Sequence, residues 1–245
     1  SGNLNVTAGT VTLNDDLNAN GAITNDGTIA VGGNALSGTN IGGSGAVTVA
    51  DGGSITAAGT IETLTTSGLA TITLEGTINN LTVSAGTLTL NGTGTGLTVV
   101  DDPDGAITTT GTVTLNGAEF TDVTNSGTLT FNTDATLSGN LNVTAGTVTL
   151  NDDLNVSGTI TISGSLAVGD FNLTQTDTEA FNVLAGGTVS IGNGTCTIGN
   201  LSVTDGSFTQ TGINAGTQSA TSLVTGGAGI IRWDFGSNGG TLTLA

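Results

Sequence analysis

The hexapeptide Gly146-Thr147-Val148-Thr149-Leu150-Asn151 recurs along the chain, and this repetition constrains the fold more than any other feature of the sequence. Gly9-Thr10-Val11-Thr12-Leu13-Asn14, Gly86-Thr87-Leu88-Thr89-Leu90-Asn91, Gly111-Thr112-Val113-Thr114-Leu115-Asn116 and Gly127-Thr128-Leu129-Thr130-Phe131-Asn132 follow the same pattern. Within it branched apolar and polar residues alternate with period two, the mark of a half-buried strand, and the Gly, Asn and Asp residues around it are turn formers. No stretch sustains an apolar period of 3.6 residues, so an all-β chain is predicted.

Spacing supplies the architecture. Strand starts at Gly9, Gly27, Gly45, Gly68, Gly86, Gly111, Gly127, Gly146, Gly164, Gly187 and Gly206 lie 16 to 25 residues apart. A period near 20 belongs to stacked repeats, in which no unit buries its own apolar side alone. In addition, Ser1–Asn18 (SGNLNVTAGTVTLNDDLN) reappears unchanged as Ser138–Asn155, 137 residues later. Seven strand starts separate Gly9 from Gly146, so the duplication spans whole units of about 20 residues, which is how a stacked array grows without breaking its core. The expected fold is a single-stranded parallel β-helix (β-solenoid) of about 12 to 13 coils, right-handed by the preference of parallel crossovers. Regular repeats are expected over 1–212, with irregular coils forming a cap or junction over 213–245 of the same domain.

Such a stack turns Val11, Leu13, Leu88, Leu90, Val113, Leu115, Leu129, Phe131, Val148, Leu150, Val189 and Ile191 inward, like on like. Cys196, which aligns with Ile55 between the two halves, is expected inward as a small apolar residue. Asn14, Asn91, Asn116, Asn132 and Asn151 follow their strands and are placed to link amides from coil to coil. The outward Thr10 and Thr12, Thr87 and Thr89, Thr112 and Thr114, Thr128 and Thr130, Thr147 and Thr149, and Thr241 and Thr243 would stack as one two-column ladder, interrupted at Ala30, Ala46, Glu62, Ser207 and Phe208.

Charge narrows the function classes. The formal net charge is −18, from 19 acidic residues against the single cation Arg232, so there is little with which to neutralise phosphate, and neither nucleic acid nor membrane insertion is expected. With no His and no Lys, imidazole bases, His metal sites, Schiff bases and P-loops are all ruled out. Absence of Met predicts a processed or excised piece, and no apolar run reaches the ~18 residues of a membrane span. A lone Cys cannot form an internal disulfide.

The remaining motifs admit bland readings. Asp15-Asp16 and Asp152-Asp153 read as solvated turns, because neighbours on a strand point to opposite faces and do not make a catalytic carboxylate pair. Asp101-Asp102-Pro103-Asp104-Gly105 resembles part of a calcium loop but lacks the full ligand spacing. The Asn-x-Thr/Ser triplets at Asn5, Asn80, Asn91, Asn142, Asn155, Asn172, Asn193 and Asn200 match glycosylation acceptors and are common by chance in so Asn- and Thr-rich a chain. In Ile230-Ile231-Arg232-Trp233-Asp234-Phe235 the alternation puts Ile231, Trp233 and Phe235 on one side, either to cover an open edge or to contact a neighbouring subunit. No catalytic, cofactor-binding or metal-binding residue is expected, and no cofactor; the chain does not read as an enzyme.

Units such as Gly-Thr-Leu-Thr-Leu-Asn-Gly at 86–92 and Gly-Thr-Val-Thr-Leu-Asn-Gly at 111–117 resemble the repeats of bacterial autotransporter passengers and filamentous-haemagglutinin-like exoproteins, over about residues 1–212. The resemblance implies a secreted or cell-surface β-solenoid used as a stalk, adhesin or fibre, with self-association through its ends or continuation into a longer array. The alternative is an ice-binding β-solenoid that uses the Thr-x-Thr ladder to order water.

Overall fold

Turns of about 19 residues, each built from short parallel strands, stack into a β-solenoid of about ten coils, and no helix occurs among the described residues. The computed structural model describes residues 2–83, 87–99, 107–109, 112–116, 118–120, 122–176, 178–211, 217–233 and 241–244. Coils are fewer than the 12 or 13 predicted because some are longer than 20 residues: Gly76 pairs with Leu97 and Leu88 with Val113, offsets of 21 and 25. The chain divides into two compact units, 1–120 and 121–245.

In the first unit each coil contributes strands to three faces. One face stacks Val11 on Ile29, Val47, Leu64 and Leu81 in turn. Another stacks Leu36 on Ile55, Ile72 and Leu90. The strands here are long and run through the corners, as in Ser54–Thr66 and Leu69–Val83, with 13 and 15 residues. Leu13, Leu88, Leu90 and Val113 are buried as expected, and the side chain of Leu115 lies outside the described residues. Val11, in a coil with a described neighbour on one side only, is half-buried.

The second unit uses strands of mostly three to five residues separated by true corners. Along one face Leu129, Val148, Leu166, Val189, Phe208 and Ile231 stand in register, and along the next Leu141, Ile160, Phe181, Leu201 and Leu223. The expected inward residues Leu129, Phe131, Val148, Leu150, Val189, Ile191 and Cys196 are all buried here. Each such Leu, Ile, Val or Phe contributes about 1.5–3 kcal/mol by leaving water, so coil stacking is the main source of stability. The C-terminal stretch also joins the stack: Thr217–Gly226, Ile230–Trp233 and Thr241–Leu244 each pair in parallel with the coil before.

The duplicated segment folds alike in both places, into strands Leu4–Val6 and Thr10–Thr12 in one unit and Leu141–Val143 and Thr147–Leu150 in the other. Between the two strands, Gly9 and Gly146 take φ of 75° and 68°, a left-handed corner that a side chain disfavours. A Cβ at Gly146 would also fall on the carbonyl oxygen of Gly127 in the preceding coil.

Candidate functional site

The threonine face is the first candidate, and its register differs from the sequence expectation. In the first unit Thr10 and Thr12 pair with Thr28 and Ala30, which pair with Ala46 and Thr48, then Thr63 and Thr65. Thr87 and Thr89 belong to another face, paired with Leu69 and Thr71 on one side and with Thr112 and Thr114 on the other. The first unit therefore carries two partial ladders rather than one. The cause is a coil of only 17 residues between Ala46 and Thr63: the next Gly-Thr-type start, at Gly68, falls one face further along. In the second unit Thr128, Thr147 and Thr188 do share a column, broken by Ser165, Ser207 and Ile230. Thr241 and Thr243 pair with Thr217 and Ser219 on a different face.

The acidic residues have a recurrent task at the corners. There the parallel ladder is interrupted, and side-chain oxygens accept from backbone N–H groups one coil further on. Asp16 accepts from Ala35 N–H at 2.8 Å, Asp26 from Ser44 at 3.0 Å, Asp51 from Leu69 at 2.9 Å and Asp153 from Asn172 at 2.8 Å. Asp122 accepts likewise from Asn140, Asp170 from Asn193 and Asp205 from Ala228. Asn3, Asn140 and Asn172 do the same for Ala22, Thr159 and Thr195. In each of these pairs the acceptor belongs to the earlier coil. The side chains staple each coil to its successor and satisfy donors that strand pairing leaves over.

The two Asp pairs follow the same scheme. Asp16 and Asp153, the second members, make the staples, while Asp15 and Asp152 accept locally from the N–H of Asp16 and Asp153 at 2.9 and 3.0 Å. Asp134 also accepts from the N–H of Asp153, at 3.3 Å. Its carboxyl shares a hydrogen bond with Asp152 and feels that residue's charge, which raises its pKa above the ordinary 3.8. The Asp101–Gly105 turn lies outside the described residues, as do Asp234, Phe235 and the side chain of Trp233; Arg232 is exposed.

Of the expected amide ladder one rung is present among the described side chains, Asn151 Nδ2 donating to Asn132 Oδ1 at 2.8 Å; the side chains of Asn91 and Asn116 lie outside the described residues. Among the glycosylation-type triplets Asn5, Asn155 and Asn172 are exposed, and Asn142, Asn193 and Asn200 are half-buried; the side chains of Asn80 and Asn91 are outside the described residues. Cys196 is buried, and desolvation pushes its thiol pKa up to about 12.

Inward polar residues escaped the sequence reading. Asn25 and Asn125 are buried, each with its Oδ1 accepting from the N–H two residues on, Gly27 and Gly127, at 3.2 Å. Their amide groups donate across the coils to the carbonyls of Ala46 and Thr147, at 2.9 and 3.3 Å. The signal is Thr-Asn-(Asp/Ser)-Gly-Thr, found at 24–28 and 124–128. Gln175, also buried, donates to the carbonyls of Gly158 and Ala180 at 3.0 and 2.8 Å and accepts from the N–H of Gly199 at 3.2 Å. Its surroundings, Asn155, Val156, Ser157, Thr174 and Thr176, line a shallow, solvent-open groove.

No protein-family model matches the chain, and no curated protein or solved structure resembles it significantly.

Proposed function

We propose that the chain is a structural repeat segment of a secreted or cell-surface fibrous protein, an adhesin stalk or extracellular filament, and that it works by reach and display rather than by catalysis. One observation carries this reading: an 18-residue coil is used twice without change, and both copies fold into matching strands with the same left-handed corner. Selection for stacking alone preserves a whole coil in this way, because each coil must fit only its neighbours. The side chains the sequence offers for chemistry support the same reading. Carboxylates such as Asp16, Asp51 and Asp153 accept backbone hydrogen bonds between coils, and the one thiol is buried. The likeness of the Gly-Thr-x-Thr-Leu-Asn-Gly units to autotransporter and haemagglutinin-like repeats points to export, and in such a setting the solenoid ends either join other copies or continue into further repeats.

Electron microscopy of the purified protein tests this. Rods or filaments are the expected result, and a field of uniform compact globules would overturn it.

A further inference from the structure

The eighteen residues that occur twice are seen in two surroundings, and the difference shows what the first coil is built to receive. In the second unit Leu141, Val148 and Leu154 are fully buried. Residues 123–137 lie along their upstream edge, pairing Val123 with Leu141, Leu129 with Val148, Phe131 with Leu150 and Ala135 with Leu154. The N–H groups of Thr144, Thr147 and Asn151 donate across that seam to the carbonyls of Asn125, Gly127 and Phe131, at 2.9, 2.8 and 2.8 Å. In the first unit no described strand lies along the upstream edge of the same sequence, and Leu4, Val11 and Leu17 are only half-buried.

The last coil carries the matching half. By register, Leu223 continues the column that begins at Val123, and Ile231 the column that begins at Leu129. Trp233 pairs with Gln210, which pairs with Ile191, so it stands where Phe131 stands in its own coil. Coil 123–137 thus presents Val, Leu and Phe at three register positions, and the last coil presents Leu, Ile and Trp at the same three. Among the described residues no strand pairs with 222–226 or 230–233 on their downstream side. The edge is apolar: Val224 and Ile230 are 59% and 56% exposed, and Leu223 and Ile231 are half-buried.

We propose that the last coil of one copy of this chain docks on the first coil of another, with Ile230–Trp233 beside residues 10–13 in the register that Thr128–Phe131 takes beside Thr147–Leu150. This rests on the fibre reading above and specifies its junction. Parallel backbone pairing supplies the affinity and the apolar columns fix the register, since a slip of one residue turns every inward side chain outward. The two edges are different surfaces, so the contact is heterologous and leaves an edge free on each partner for the next copy.

Cross-linking between two single-cysteine variants tests the junction. Thr10→Cys protein is mixed with Ile230→Cys protein under mild oxidation. Both positions are exposed, and the native Cys196 is buried. In the proposed register the two new thiols sit opposite each other at the strand spacing of about 4.8 Å, within the Cα separation of about 4.4–6.8 Å that a disulfide spans. The expected result is a mixed disulfide dimer that outweighs both homodimers. It also outweighs the product of Thr12→Cys with Ile230→Cys, which is two residues out of register. Thr12→Cys with Arg232→Cys is a second in-register pair, in case the first has poor disulfide geometry. Sedimentation of the unaltered protein separates the two levels of the argument. Oligomers that give neither in-register cross-link overturn this junction and leave the fibre reading standing; a monomer at every concentration overturns both.

Discussion

Phe181 and Phe208 come from successive coils and meet edge to face, with ring centroids 5.8 Å apart and planes at 82°, both fully buried. Truncating Phe181 to Ala opens a cavity between those coils. Large-to-small changes of this kind cost about 3–5 kcal/mol, of which the aromatic pair accounts for about 0.5–1.5. In a stacked array that loss is felt mainly by neighbouring coils, because stability is close to a sum of nearest-neighbour terms. At roughly tenfold per 1.4 kcal/mol, local opening at 160–162, 180–183 and 200–203 should rise about a hundredfold to several thousandfold. Hydrogen exchange read by mass spectrometry resolves this, since strands 123–125 and 128–131 in the same unit should keep most of their protection. Phe181→Leu should lose far less, about 1.5 kcal/mol or under, because the residues in register on either side are Ile160 and Leu201. Equal loss of protection throughout 123–233 would refute the nearest-neighbour reasoning, and so would a change under tenfold at 180–183.

Cys196 should resist alkylation at pH 8 until the coil around it opens, because burial pushes its thiol pKa up to about 12; labelling at the rate of a free thiol in the folded protein would contradict that burial. The Asp134 carboxyl is shifted upward by its hydrogen bond with Asp152 and by that residue's charge. The folded state therefore holds this proton more tightly than the unfolded chain does, so stability falls as pH rises from 3.8 through the raised value. Asp134→Asn should then leave stability unchanged well below that window and raise it slightly at neutral pH, as read by denaturant midpoints at both pH values; a loss at neutral pH would show that the hydrogen bond from Asp153 outweighs the repulsion. Thermal hysteresis should be absent at high protein concentration, since the Thr columns are split between faces and broken by Ala30, Ala46 and Ala167.

Stacking was legible in the sequence because it is written locally. Alternation gives the strands, and a turn residue every 20 or so positions gives the coils. Face assignment was not, since it depends on how many residues each corner consumes. From the spacing alone Gly9 and Gly86 are equivalent; the 17-residue step from Ala46 to Thr63 moves the next Gly-Thr starts to a different face. Inward Asn25, Asn125, Gln175 and Gln210 were missed for a related reason. A polar residue at an apolar register position looks like an interruption until the carbonyls it reaches across the coils are known. Asp at corners looked like a solvated turn, yet Asp16 and Asp153 turn to hold the following coil.

Charge decides how readily copies meet. With a net charge of −18 on each chain, two copies repel at long range, whereas the edges proposed to join are apolar and contribute only at contact. Raising ionic strength from about 0.01 to 0.15 M shortens the screening length from about 30 to 8 Å, which removes most of the repulsion between the bodies of the chains and leaves the seam intact. Added salt should therefore strengthen association and speed it, as seen by light scattering or sedimentation over a sodium chloride series. Arg232, the only cation, stands by register opposite Thr12 in the proposed seam, and Thr12 is close in sequence to Asp15 and Asp16. If attraction between that guanidinium and those carboxylates held the junction together, salt would weaken association instead. A decline in oligomer with rising sodium chloride would therefore refute the view that apolar columns carry the seam, and Arg232→Gln would then abolish the salt response.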